Sequence, residues 1–250
     1  MEGKSENEIW QIFDKAKEKF GRDIFGQGFI YRITNDELIA YIAKLNDDEK
    51  ADGINSPKCF VPYDKGDKDG NRWYLPTPYY IAWSKENVKF LKENSGKKGE
   101  GMPVVRNPQF YFKEGFCWNN VLLPKNEESM FIKCRIKQKS VNDVASMSLY
   151  AQIDLPNFYF VALLNSKFMY DYLKTFINAS VNLQINDFRQ IPIIIPNKEQ
   201  LAEFEALFDI AYQAQKDKFE KGIDSTETLK SLQPKLDSLV YKLYGVDNIL

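Results

Sequence analysis

Apolar side chains recur at helical spacing near the start of the chain, where Ile9, Ile12, Phe13, Ala16 and Phe20 lie within Glu6 to Phe20 and Gly21 follows as a stop. This spacing predicts an N-terminal helix. The run from Phe25 to Ile33 reads as a glycine-bent turn into a strand. Asn35 or Asp36 is placed to cap a helix over Leu38–Leu45, and Asp47–Pro57 reads as a polar connector. From Lys58 to Asn142 the texture changes. Short aromatic and β-branched runs (Cys59–Tyr63, Trp73–Leu75, Tyr79–Trp83, Gln109–Phe112, Met130–Ile136) alternate with Gly, Asp, Asn and Pro, with Asp69-Gly-Asn as a turn signal. Asn157 to Asn178 then reads as one helix, apolar on more than one side. Val181–Ile185 and Ile191–Ile195 read as strands around Asn186-Asp187.

Two further helices close the chain. Asn197 and Gln200 stand in capping-box spacing before Leu201, Phe204, Phe208, Ala211 and Phe219, with Gly222 as the stop. Leu229, Leu232, Leu236, Leu239, Val240 and Leu243 stripe the last helix before Gly245, and Pro234 must kink it or mark its start. The expected class is α+β, in three segments. Residues 1–57 form a helical and connector segment, 58–196 a β-rich domain, and 197–250 a helical segment whose stripes are buried by packing.

Charge adds information that the hydrophobic pattern lacks. The net charge is −1, yet residues 1–57 hold 8 Lys+Arg against 12 Asp+Glu, residues 58–140 hold 16 against 9, and residues 141–250 hold 10 against 14. A basic middle between acidic ends predicts a cationic cleft for an anionic partner. The 250 residues contain no histidine, which excludes Ser-His-Asp and Cys-His nucleophiles and imidazole metal sites. Cys59, Cys117 and Cys134 form no C-x-x-C pair, and are expected to be reduced. No segment approaches the ~18 apolar residues of a membrane span. Met1 to Glu8 is polar and acidic, unlike an export signal, so no membrane and a cytoplasmic location are expected.

Motifs for catalysis are weak. Gly26-Gln-Gly28 leads into a strand-like run instead of a helix, which suits a turn better than a nucleotide or S-adenosylmethionine loop. Asn107-Pro-Gln-Phe110 lacks the second proline of the Asn-Pro-Pro-Tyr/Phe motif of adenine amino-methyltransferases, and reads as a turn into a strand. The Asp/Glu-x-Lys triplets at Glu2–Lys4 and Asp48–Lys50 lie in polar context, unlike a nuclease centre. Asp64, Asp67 and Asp69 lack the Glu that would complete a calcium loop. No catalytic or metal site is expected. Trp73, Trp83 and Trp118 are expected in the core.

Phe60-Val-Pro-Tyr-Asp-Lys-Gly-Asp-Lys-Asp-Gly-Asn-Arg-Trp-Tyr74, Tyr79-Tyr-Ile-Ala-Trp-Ser84 and Arg106-Asn-Pro-Gln-Phe-Tyr-Phe-Lys-Glu-Gly-Phe-Cys-Trp118 resemble the target-recognition region of type IIG restriction-modification enzymes and related N6-adenine DNA methyltransferases. Ala162–Lys167 and Leu236–Gly245 resemble helices of the same enzymes. Asn182–Ile194 resembles the strand-turn-strand before their terminal helices, a pattern also similar to type I specificity subunits. The pieces span roughly residues 58–245 in the family's order. The family's methyltransferase motifs are missing, so the resemblance implies a specificity region of a larger polypeptide, or an isolated specificity protein. It implies double-stranded DNA as partner, and a methyltransferase domain upstream or in a separate subunit. That parent would supply S-adenosylmethionine, and Mg²⁺ where a nuclease accompanies it; no cofactor is expected in this chain.

Duplex recognition needs cations on phosphates and planar or amide groups at base edges. Tyr63, Lys65, Lys68, Asn71, Arg72, Lys113, Arg135, Lys137 and Lys139 stand on expected loops of the basic middle. Lys65, Lys68, Lys113, Lys137 and Lys139 are assigned to phosphates, and Arg72 and Arg135 to base edges. Asn182, Gln184 and Asn186 fit turn chemistry better than base contact. Two other classes stay open: a degenerate methyltransferase or nuclease fragment using Gly26–Gly28 or Asn107–Phe110, and a protein-interaction module.

Overall fold

Local capping sets the first elements. The computed structural model describes residues 36–67, 70–97, 105–124, 129–143 and 146–246, with Gln11, Ile30, Tyr31 and Ile33 before them. The expected helix over Glu6–Phe20, the Gly26–Gly28 turn, Lys68 and Asp69 lie outside the described residues. Strand β1 is Ile30–Tyr31. The segment expected as a helix over Leu38–Leu45 forms two short 3-10 turns instead, Asp36–Leu38 and Ile42–Lys44. The polar connector carries a helix that the hydrophobic pattern misses. In α1 (Asp47–Asp52), Asn46 Oδ1 accepts from the Glu49 N–H at 2.8 Å and Glu49 accepts from the Asn46 N–H at 3.1 Å. Gly53 ends it at φ 96°, where a Cβ would meet the backbone of Ser84 and Lys85 at 2.7 Å.

The fold is α+β, with small sheets and helices at the C-terminal end. It divides into two compact units that alternate along the chain. The first comprises Met1–Lys65, Thr77–Lys113 and Lys139–Val144, and the second Gly66–Pro76, Glu114–Gln138 and Ala145–Leu250. Residues 58–196 therefore contribute to both units, and the C-terminal helices belong to the second.

In the first unit β1, β2 (Phe60–Asp64), β3 (Tyr80–Ala82) and β6 (Val141–Asn142) form a sheet of order β1-β3-β2-β6. Its pairs are antiparallel except β2 with β6, where Tyr63 stands opposite Val141. Helix α2 (Lys85–Asn94), which the aromatic texture hid, starts at Ser84, whose Oγ accepts from the Asn87 N–H at 3.3 Å. It buries Val88 and Leu91 against Val61, Ile81 and Trp83. The Trp83 indole N–H donates to the Glu49 and Lys50 carbonyls at 3.1 and 3.2 Å, and the ring lies edge-on to Tyr111 and Phe112. Gln109–Phe112 is no strand: Pro108–Phe110 is a 3-10 turn entered through Asn107 at φ 50°.

In the second unit β4 (Gly115–Asn119) is flanked by β5 (Arg135–Lys137) and β7 (Ser146–Leu149), both antiparallel to it. The long helix expected from Asn157 breaks. Helix α3 (Asn157–Leu164) ends at Asn165, whose side chain accepts from the Cys134 N–H at 2.9 Å and donates to the Cys134 carbonyl at 2.8 Å. Ser166 then caps α4 (Lys167–Tyr172), accepting from the Met169 N–H, and a π-helical turn follows over Leu173–Ile177. Asn165 mimics a strand partner and so draws the chain out of its helix. Tyr159 to Leu164 are all buried, because α3 packs against the sheet and the terminal helices.

The expected strand-turn-strand also fails. Asn182 makes a single antiparallel bridge to Val121, and α5 (Ile185–Phe188) follows, with Asp187 accepting from the Gln184 N–H at 2.7 Å. Helix α6 (Lys198–Lys221) carries the expected capping box, both bonds at 2.9 Å, and stops at Gly222 with φ 71°. Helix α7 (Thr226–Tyr244) contains Pro234 in its interior. Both helices bury their stripes in one core with Trp118, Tyr159 and Leu163. Among the described residues no helix is long and apolar enough to cross a membrane.

Candidate nucleic-acid interface

Asn71 and Arg72, both expected as DNA contacts, and Trp73 and Tyr74 after them are bound down along the terminal helices. Asn71 donates from its backbone and its side chain to Asp67, and its Oδ1 accepts from Gln215 Nε2 at 3.3 Å. Arg72 donates to Gln233 Oε1 at 2.7 Å and lies over the Phe131 ring at 4.1 Å. Burial of its guanidinium pulls the pKa down to about 10, against the opposing pull of Asp237. Trp73 packs edge-on to Phe208, and the Tyr74 hydroxyl donates to Glu220 at 2.8 Å. Trp73 has φ 70° and forms a lone bridge to Arg135, so no strand runs over Trp73–Leu75.

Arg135 and Lys137 point into the second unit, at 2% and 1% exposure, while Ile136 between them is half-buried. Lys137 Nζ donates to the Gln138 carbonyl at 3.0 Å and lies 5.9 Å from the Tyr150 ring centroid. The expectation that Arg72 and Arg135 reach base edges from loops, and that Lys137 holds a phosphate, is therefore corrected. These cations are built into the unit's interior, where strand alternation and Gln233 hold them. Tyr63 is likewise buried, its hydroxyl donating to Asp143 at 2.8 Å; burial and that carboxylate push its pKa far up.

The remaining candidates lie in the first unit. Lys113 and Lys139 are exposed, and Lys65 is half-buried with its Nζ over the Tyr79 ring at 5.1 Å. The Phe112 N–H donates to the Ser140 carbonyl at 3.1 Å, which sets Lys113 and Lys139 beside one another in the chain path. Lys65 lies at the opposite end of the β2–β6 pair, one residue past the Asp64–Asn142 register position.

Within the basic middle, the segments of the two units treat their cations differently, while residues 1–57 of the first unit hold 8 Lys+Arg against 12 Asp+Glu. Residues 58–65, 77–113 and 139–140 hold 10 Lys+Arg against 4 Asp+Glu, whereas 66–76 and 114–138 hold 6 against 5. Of the described cations in the first set, Lys58, Lys85, Lys89, Lys92, Lys97, Arg106, Lys113 and Lys139 are all exposed, with Lys65 half-buried. Of those in the second, Arg72 and Lys133 are half-buried and Arg135 and Lys137 buried. Lys85, Lys89 and Lys92 share one side of α2 by their i, i+4, i+7 spacing. Lys92 is tied to Asp52 at 2.7 Å, and Lys89 approaches Glu93 at 3.9 Å. The sequence does hold the signal for Arg106, since no acid stands between Val105 and Lys113.

A scan against protein-family models finds no match to this chain, and a search of curated proteins finds none either.

Proposed function

We propose that this chain recognises a double-stranded DNA target on behalf of a type IIG restriction-modification enzyme or an adenine-N6 DNA methyltransferase, and that its first unit provides the phosphate contacts. The partition of charge carries the reading. The basic excess of the middle of the chain belongs almost wholly to one unit and is turned outward there, as neutralising a polyphosphate requires. Lys65, Lys113 and Lys139 keep their assigned phosphate role, and Lys97 joins them. The chemistry on the target adenine belongs to a methyltransferase domain or subunit that brings S-adenosylmethionine. The setting is the cytoplasm, where the free thiols of Cys59, Cys117 and Cys134 stay reduced.

Salt titration tests this. Fluorescence anisotropy on a labelled random-sequence duplex should show affinity falling linearly in log-log form as salt rises. Lys113→Ala and Lys139→Ala should each reduce that slope by about 0.9. A flat salt profile, or no binding at low salt, would overturn the proposal.

A further inference from the structure

Resting on that reading, we infer that the loop Val105–Lys113 is the base-reading element of the first unit, with Arg106, Asn107 and Gln109 as its specificity-determining side chains. All three are exposed, as is Pro108 between them. Their types are those that read the major groove: a guanidinium meets guanine O6 and N7 with two donors, and a primary amide meets adenine N6 and N7 with one donor and one acceptor. No carboxylate stands within the loop to repel the duplex, and exposed Lys97, Lys113 and Lys139 adjoin it.

The loop is anchored along its length, as a reading element must be if its side chains are to meet base edges in fixed register. At the entrance the Val105 N–H donates to Ser95 Oγ at 2.9 Å, and Ser95 Oγ in turn lies 3.3 Å from the Val105 carbonyl. This pair joins the loop to the end of α2, three residues after Lys92 and two before Lys97. In the middle, Asn107 takes the left-handed conformation and starts the 3-10 turn over Pro108–Phe110, with the Phe110 N–H donating to the Asn107 carbonyl at 3.0 Å. At the exit Tyr111 and Phe112 are buried against Trp83, and Phe112 is tied to Ser140. Lys113 Nζ folds back over the Phe110 ring at 5.4 Å. The apolar residues of Gln109–Phe112, expected to make a strand, instead pin a turn whose polar members all face outward. Arg72 and Arg135 have the right chemistry for base edges and the wrong placement; Arg106 has both.

Selection from a random-sequence duplex pool, followed by sequencing, tests the assignment on the full chain. Wild type should enrich a motif. Arg106→Lys keeps the charge and removes the planar fork; Asn107→Gly keeps the left-handed backbone and removes the amide; Gln109→Ala removes the other amide. Each should relax the motif at its own positions and weaken the selected duplex by about 5- to 150-fold, the equivalent of about 1–3 kcal/mol. Affinity for the unselected pool and the salt slope should stay as in wild type for Asn107→Gly and Gln109→Ala. An unchanged motif in all three variants, with unfolding midpoints also unchanged, would overturn the inference. So would a wild-type protein that binds the pool in a salt-dependent way and enriches nothing, although phosphate binding by the first unit would then stand. Absence of any duplex binding would remove the proposed function itself.

Discussion

Arg72 and Lys113 are both basic residues of the middle segment, and their surroundings give them opposite consequences. The Arg72 guanidinium is held by Gln233, by the face of Phe131 and by the field of Asp237. Arg72→Ala removes the donor from Gln233 Oε1 and should lower stability by about 1–3 kcal/mol, visible as an earlier urea midpoint, with duplex affinity unmoved. Lys113→Ala should weaken duplex binding instead. Asp237 adds a pH dependence at the same place. Burial raises its pKa, and the hydrogen bonds from the Lys167 N–H and Gln233 only partly offset this. The folded state then holds this proton to higher pH than the unfolded chain. Its contribution is greatest at acid pH and is lost as pH rises from the ordinary carboxylate range through the raised value. Asp237→Asn should flatten that part of the stability profile, which equilibrium unfolding across mildly acid buffers will register. Nothing in the sequence separates Arg72 from Lys113, because each is a cation amid aromatics and turn residues. What separates them is a partner more than a hundred positions away.

Elements were legible where local chemistry decides them. The Asn197/Gln200 box, the two terminal helices and their glycine stops follow from residues within one turn of each other. Polar side chains outside the apolar pattern decided the others. Asn165 pairs with the Cys134 backbone and breaks a helix that apolar spacing alone would continue; Asp187 caps α5 where alternation suggested strands. Helices α1 and α2 were hidden for another reason: both are short and polar outside, so their caps at Asn46 and Ser84 carry more signal than their stripes. Pro234 gives a direct test at this scale. It sits exposed inside α7, where its ring cannot donate to the carbonyl of Lys230. Pro234→Ala restores that donor and should raise the unfolding midpoint, by up to ~3 kcal/mol in stability. A lower midpoint would mean that the proline's fixed backbone shapes the packing of α7 on α6.

At the scale of the molecule, the α+β class could be read from the chain, and so could the basic character of its middle. The assignment of that charge to one unit could not, because the units alternate along the sequence and hydrophobic pattern does not record which segments share a core. The first core gathers Val61, Ile81, Trp83, Val88 and Val141, and the second Trp73, Trp118, Tyr159, Phe204 and Leu236, from segments interleaved in order. Salt response belongs to this scale. Paired removal of Lys113 and Lys139 should reduce the log-log slope by about 1.8, near the sum of the single losses, since each cation releases its own counterions. The chain passes from one unit to the other at residues 65, 76, 113, 138 and 144. Neither unit can therefore be cut out or transplanted as one continuous stretch. Exchanging one whole unit for another would take a splice at each of these five crossings, where a continuous domain takes at most two.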